Sequence, residues 1–145
     1  LSIDSVKDIN FSWERSLNFD GKSGPNIQYT YARAKSIMRK AGSIAENPEQ
    51  LTLNPEHLSG AEEYNLVRKM ATFPLVVESA SRTLRPNIIA TYGYQLATAF
   101  NRMYGSTRIL GDETKLQSRI TLLEAYTQVV KNSMDLLGIQ MVKEM

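Results

Sequence analysis

Apolar residues recur at steps of three and four along most of the chain, the spacing that places them on one face of an α-helix. The first clear repeat predicts a helix that starts near Pro25, since proline suits the first helical turn, and stops at Gly42. No segment shows the strict alternation of apolar and polar residues typical of a half-buried strand. The apolar face of this helix consists of Ile27, Tyr31, Ala34, Ile37 or Met38, and Ala41.

Two helical segments follow an irregular, proline-bearing connector. Ser59, with Glu62 three positions later, has the pattern of a capping box and predicts a helix over residues 60–72. Pro74 then starts or kinks a segment over residues 75–84, where the apolar repeat is weaker.

Two longer helices complete the chain. Pro86 is placed in the first turn of one, which Gly105 ends, and Asp112 is placed to cap the other, which Gly138 closes. With a short turn around residues 11–18, the six segments predict an all-α bundle of about five to six helices. The last helix carries a seam of core-type positions, Leu116, Ile120, Leu123, Thr127, Val130, Met134 and Leu137.

Composition narrows the possible functions. A length of 145 residues, with 42% hydrophobic and 22% charged residues, suits one globular domain. The absence of cysteine excludes disulfides, Cys-zinc sites, iron–sulfur clusters and thiol nucleophiles. No run approaches the roughly 20 apolar residues of a membrane span, and no signal-peptide pattern opens the chain. We therefore expect a cytoplasmic protein that does not bind membranes.

Charge is distributed unevenly, although the net charge is +2. Residues 22–45 carry a net +5 without any acid, residues 46–63 carry −5 without any base, and residues 64–111 return to +5. A face built from the basic blocks would attract a polyanion, and salt would weaken the attraction. Solvated helix faces explain the same pattern, so charge alone leaves both interpretations open.

The residues suggest no catalytic or metal site. His57, the one histidine, lies in a proline-flanked loop, where we expect an exposed side chain. Glu62 and Glu63 diverge by about 100° on a helix and cannot share a substrate, and Glu62 already serves as a cap. The glycine-bearing turn over residues 20–25 lacks the spacing of a phosphate-binding loop, so we expect a structural turn.

Four motifs occur in order along residues 17–145. A glycine-bearing turn with Gly24-Pro25 leads into Gln28-Tyr29, Ala32-Arg33 and Arg39-Lys40. The others are Tyr92-x-x-x-Leu96-Ala97-x-Ala99-Phe100-Asn101-x-x-Tyr104, Arg119-Ile120-x-Leu122 with Val129-Val130-Lys131-Asn132, and Leu136-Leu137-Gly138-Ile139 before Val142-Lys143-Glu144-Met145. In these motifs the chain resembles the arginyl-tRNA synthetases over residues 11–145.

The resemblance implies the C-terminal, DALR-type anticodon-binding domain of a class I synthetase. Residues 1–20 would be a linker or the end of the upstream catalytic domain, and residues 21–145 the α-helical anticodon-binding domain. The intact parent would attach arginine to its tRNA with ATP and magnesium. The family's adenylate-forming motifs do not occur here, so we expect a piece of a longer protein that binds without catalysing and holds no cofactor. The implied partners are tRNA(Arg), especially its anticodon loop, and the upstream domain, but not DNA.

Several positions depart from the family pattern. Asn26 stands where an aromatic residue usually follows Gly-Pro, Asn87 where histidine is common, and Ser133 where glycine is usual. Residues 116–119 read Leu-Gln-Ser-Arg where the family is named for Asp-Ala-Leu-Arg. The first departure puts base stacking from position 26 in doubt.

Proteins recognise anticodon loops by aromatic stacking, arginine planes, hydrogen bonds to base edges and phosphate contacts. Tyr29 and Arg33 share a helix face, Lys40 lies near the same line, and Arg39 is about 120° from Arg33. The resemblance implies RNA-loop contact for Tyr29, Arg33 and Arg39, base stacking for Tyr104 and a chain end beside the bases. The candidate tRNA-binding residues are Tyr29, Arg33, Arg39, Lys40, Tyr104, Arg119 and Met145.

Each candidate also has a structural interpretation. Tyr29 could be a core tyrosine with its hydroxyl at the surface, and Arg33 could form an ion pair within the bundle. Tyr104 could pack, Arg119 could satisfy a helix end, and Met145 could belong to a frayed terminus. These alternatives stay open at the level of the sequence.

Another class of function remains possible, in which the seam of the last helix docks a partner helix. An exposed apolar groove along residues 116–137 would favour docking, and a basic groove beside Tyr29 and Tyr104 would favour RNA.

Two further residues have expected structural roles: Gln28 holds a loop carbonyl, and Trp13 anchors the upstream domain.

Overall fold

The computed structural model describes residues 12–16, 23–42 and 54–142, and within these ranges the chain is helical, without a strand. The predicted all-α bundle is therefore confirmed. Two single-turn 3-10 helices, Pro55–His57 and Ile109–Gly111, lie between the α-helices. The six α-helices are α1 (Trp13–Ser16), α2 (Gly24–Gly42), α3 (Ala61–Ala71), α4 (Phe73–Thr83), α5 (Asn87–Ser106) and α6 (Glu113–Asp135).

Helices α2, α5 and α6 pack against one another and form the centre of the bundle. Helix α3 packs on α5 and α6, and α4 packs on α5. The predicted apolar faces of α2 and α5 are buried, as the three-and-four spacing requires. Gly93 of α5 leaves room for Met134 of α6, because a Cβ atom there would lie 2.6 Å from the terminal methyl of Met134.

The seam of α6 lies inside the bundle. Leu123, Thr127, Val130 and Met134 are buried, and α2 and α5 both pack on this helix. These central positions of the seam are therefore occupied by the chain's own helices and are not available to a partner helix.

The prediction for the cap of α3 was wrong by one residue. The backbone amide of Gly60 donates to Oε2 of Glu63 at 3.0 Å, whereas Glu62 accepts only a long bond from Asn65 at 3.4 Å. Glu63 turns inward because Arg119 of α6 pairs with its other carboxylate oxygen. This partner is distant in sequence, so a local capping pattern cannot reveal it.

Other helix ends follow the predicted signals more closely. Helix α2 begins and ends at the expected glycine–proline and glycine positions, whereas α5 begins just after Pro86 and extends through Ser106. At the end of α6, Gly138 has a φ of +71°, and the amide of Ile139 donates to the carbonyl of Met134 at 2.9 Å. This closure is a Schellman motif, which explains why glycine stands there. None of the described helices has the length and apolar character to cross a membrane.

Candidate nucleic-acid interface

The structure brings together Tyr29, Arg33 and Tyr104, three residues that the sequence singled out. Arg33 donates from Nη2 to the Tyr29 hydroxyl at 2.5 Å, and its Cζ lies 4.5 Å from the centroid of the Tyr29 ring. The same Cζ lies 5.1 Å from the centroid of the Tyr104 ring. One guanidinium therefore contacts both rings, across the junction between α2 and α5.

Both tyrosines remain accessible. Tyr29 is 44% exposed and Tyr104 is 41% exposed, although each ring contacts Arg33. Neither is a core tyrosine, so the packing interpretation accounts for only part of each side chain. An exposed π face beside a cation is the combination that unstacked bases bind.

A stack of buried rings supports Tyr104 from below. Phe100 stacks on Tyr104 with ring centroids 6.1 Å apart, and Tyr126 stacks on Phe100 at 4.5 Å. The hydroxyl of the buried Tyr126 donates to the Thr30 hydroxyl at 2.8 Å, which ties α6 to α2. The sequence pattern does not single out Tyr126 or Thr30, and the four-residue spacing of Phe100 and Tyr104 is the one local signal of this stack.

The last described segment of the chain lies beside α2. The Gln28 side-chain amide donates to the backbone carbonyl of Gln140 at 2.9 Å. This contact confirms that Gln28 holds a loop carbonyl, and it places the segment one residue away from Tyr29 along α2. Met145, predicted to lie beside the bases, is outside the described residues.

Arg39 and Lys40 lie near the end of α2 and are both exposed. Since each residue of a helix rises about 1.5 Å, Lys40 lies about 10 Å from Arg33 along the helix axis. Arg39 and Lys40 therefore extend the positive charge of α2 beyond the tyrosine pair, Tyr29 and Tyr104.

Arg119 lies in a different cluster. Its Nε donates to Oε1 of the buried Glu63 at 2.9 Å, and its Nη1 donates to the carbonyl of Arg108 at 3.1 Å. Its side chain is only 12% exposed, and Asp112 lies 3.9 Å from Nη1. A hydrogen bond from Thr114 lowers the pKa of Asp112, and Arg119 contributes to the same shift. These contacts favour the structural alternative for Arg119.

No catalytic arrangement is visible among the described residues. His57 is partly buried rather than fully exposed, because its 3-10 helix packs on α6 and its Nδ1 lies 3.4 Å from the Ser118 hydroxyl. Within residues 12–16, 23–42 and 54–142, no group of three or more His, Asp or Glu side chains could hold a metal ion. Trp13 is 72% exposed in this chain, and most of the glycine turn before Ser23 lies outside the described residues.

Known proteins that are similar to this chain include arginine–tRNA ligases and arginyl-tRNA synthetases. An arginine–tRNA ligase of Clostridium acetobutylicum is 38% identical over 141 residues, which is 96% of this chain and 24% of that protein. The structure of the Thermus thermophilus arginyl-tRNA synthetase matches with a TM-score of 0.84 and 28% identity, over 96% of this chain and 24% of that one. The Plasmodium falciparum arginyl-tRNA synthetase shares the fold, with a TM-score of 0.83 and 24% identity.

This chain thus spans about a quarter of the length of the relatives that it matches. Residues 27–145, nearly the whole of the bundle, match the family described as the DALR anticodon binding domain. This match covers Tyr29, Arg33 and Tyr104. The chain belongs to the DALR anticodon-binding domain family.

Proposed function

We propose that this chain is the tRNA-binding domain of an arginine–tRNA ligase and that it binds the anticodon loop of tRNA(Arg). The observation that carries the proposal is the contact of Arg33 with the rings of both Tyr29 and Tyr104. The names of the relatives support the choice of arginine.

The chemistry of the site suits an open RNA loop. Unstacked bases can stack on the exposed faces of Tyr29 and Tyr104, and each base stacked on an aromatic ring contributes about 1–3 kcal/mol. Arg33 keeps a charged plane between the rings, and Arg39 and Lys40 supply further positive charge for phosphate oxygens. Base contacts would select the anticodon, and phosphate contacts would set its position.

Two candidates have less direct roles in this proposal. Arg119 holds Glu63 and the Arg108 carbonyl, so it would act by fixing α3 and the loop before α6. Met145 would bring the chain end beside the bases, and the bond from Gln28 to Gln140 supports this direction of the last segment.

The rest of the proposed function concerns the intact parent. Binding energy at the anticodon would orient the acceptor end of the tRNA toward a catalytic domain, which would attach arginine with ATP and magnesium in the cytoplasm. We assign binding and orientation to this chain, and the chemical step to the catalytic domain of the parent. Trp13 is a candidate anchor for the catalytic domain.

The decisive experiment is titration of the chain with an arginine tRNA transcript across a range of salt concentrations. A matched transcript with the middle anticodon base replaced serves as the control. We expect salt-sensitive binding that weakens on the base change. Equal binding of both transcripts would reduce the site to a basic surface, and an absence of binding would contradict the proposal for this chain.

A further inference from the structure

A groove with a volume of about 200 Å³ lies between α3 and α5, outside the site formed by Tyr29, Arg33 and Tyr104. Two of its lining side chains are cationic, and none of them is a carboxylate. The residues that line it are Asn65 and Lys69 from α3, and Tyr94, Gln95, Thr98, Ala99 and Arg102 from α5.

The two cations of this groove lack carboxylate partners within the described part of the chain. Lys69 donates from Nζ to the neutral amide oxygen of Gln95 at 3.0 Å. Arg102 is exposed and makes no ion pair among the described residues. At the edge of the groove, the carboxylate of Glu62 accepts a hydrogen bond from the lining residue Asn65 at 3.4 Å.

Two exposed cations on other helices, by contrast, have acidic partners. Arg82 pairs with Glu78 at 2.8 Å, and Lys131 pairs with Asp135. Positive charge is thus left uncompensated where α3 and α5 form a concave surface. Such a surface attracts an anion, and guanidinium and ammonium groups each bind phosphate oxygens.

This groove is separate from the tyrosine pair. Arg102 and Tyr104 are two residues apart, so they project about 160° from each other around α5. Tyr104 faces Arg33 of α2, whereas Arg102 lines the groove beside α3. A nucleotide stacked on Tyr104 cannot also occupy the groove, but a longer RNA that passes the end of α5 could contact both.

We propose that the groove formed by Lys69, Gln95, Tyr94 and Arg102 binds the phosphodiester backbone of an RNA segment outside the loop that Tyr29 and Tyr104 contact. Arg102 and Lys69 neutralise phosphate oxygens, the Gln95 side chain holds Lys69 in place, and Tyr94 forms an apolar wall against the sugars. The inference rests on the proposed RNA-binding function and adds a contact that does not depend on sequence.

The test uses the 145-residue chain and two probes, a short blunt RNA duplex and the pair of tRNA transcripts described above. In the double variant Lys69→Gln/Arg102→Gln, we expect affinity for the duplex to fall about tenfold or more. The slope of log affinity against log salt should become shallower by about one per lost cation. The ratio of affinities for the two transcripts should stay unchanged.

Arg82→Gln/Lys131→Gln is the matched control, because it also removes two positive charges, at exposed side chains outside the groove. Far-UV circular dichroism checks that all variants are folded. A Lys69→Gln/Arg102→Gln variant that binds the duplex as well as the control would overturn the inference. Tighter binding of polyglutamate than of duplex by the wild-type chain would also overturn it, since the groove would then suit an acidic protein.

The results separate the two proposals. If the base change has no effect but duplex binding depends on Lys69 and Arg102, the groove stands and anticodon reading is wrong. If discrimination is present but the Lys69→Gln/Arg102→Gln variant loses nothing, anticodon reading stands and the groove proposal is wrong. A wild-type chain that binds neither probe contradicts both.

Discussion

The guanidinium of Arg33 lies over the ring of Tyr104, with 5.1 Å between Cζ and the ring centroid. These residues belong to α2 and α5 and are far apart in sequence. Their contact depends on the buried stack of Phe100 and Tyr126 beneath Tyr104 and on the bond from Tyr126 to Thr30. The hydrophobic core therefore sets the position of an exposed aromatic and cationic surface.

Tyr104→Ala should weaken binding of the arginine transcript, because a stacked base loses its platform. The expected loss is about 1–3 kcal/mol, measured by titration at fixed salt. Tyr104→Phe keeps the ring and should bind nearly as the wild type.

Tyr64→Ala is the control for this experiment, since Tyr64 is 67% exposed on α3 and contacts neither Arg33 nor Tyr104. An equal loss of affinity in the Tyr64 variant would mean that Tyr104 has no special role.

Arg33→Ala should weaken binding to every tRNA and make the salt slope shallower by about one. Arg33→Lys keeps the charge and should retain the slope, although it loses the planar contact with the two rings. Salt titrations of both variants with both transcripts measure the difference. If Arg33→Ala removes only the discrimination between anticodons, the assignment of Arg33 to general affinity is wrong.

Arg119→Met should destabilise the fold, because it leaves the buried carboxylate of Glu63 without its cation. Removing one partner of a buried ion pair costs about 3–5 kcal/mol, which urea denaturation can measure. Removing the exposed pair of Arg82 and Glu78 should cost at most about 1 kcal/mol and serves as the control.

The same variant separates the two roles considered for Arg119. Under the structural role, Arg119→Met that remains folded at low temperature binds the arginine transcript as the wild type does. A loss of affinity in the folded variant would show that Arg119 contributes to tRNA binding and not only to stability.

Two buried tyrosines should make the fold sensitive to alkali. Burial raises the pKa of Tyr92 from 10.0 to about 12, and burial raises the pKa of Tyr126 as well. Because ionisation is disfavoured in the folded state, their stabilisation is complete below pH 10 and is lost as pH rises toward 12. Helix content and tyrosinate absorbance should therefore change together in this window.

Tyr92→Phe provides the comparison, because it removes one of the seven tyrosines and its late ionisation. This variant should lose less stability between pH 10 and pH 12 than the wild-type chain does. Ionisation of all tyrosines near pH 10, without loss of helix, would contradict the prediction.

Much of the bundle could be predicted because its signals are local. Residues such as Ile27, Tyr31 and Leu96 lie on one face of their helices, and that face is buried. Glycine marks the end of α2 and the Schellman closure of α6. The cap of α3 could not be predicted, since the choice between adjacent glutamates depends on Arg119, more than fifty residues away.

The candidate site, too, could be predicted only in part from the sequence. Amino-acid type and helix period were enough to nominate Tyr29, Arg33 and Tyr104. They could not separate Arg33, which contacts two exposed rings, from Arg119, which is held by a buried acid.

By itself, the sequence determined the helical class, the buried faces and the kinds of side chain available for RNA, because each depends on residues close together in the chain. Only the tertiary structure decided which of these side chains meet and which are occupied within the bundle. The physical reason is that contacts such as Arg33 with Tyr104, and Lys69 with Gln95, form between helices. Their geometry is set by packing at the centre of the bundle, which no local pattern contains.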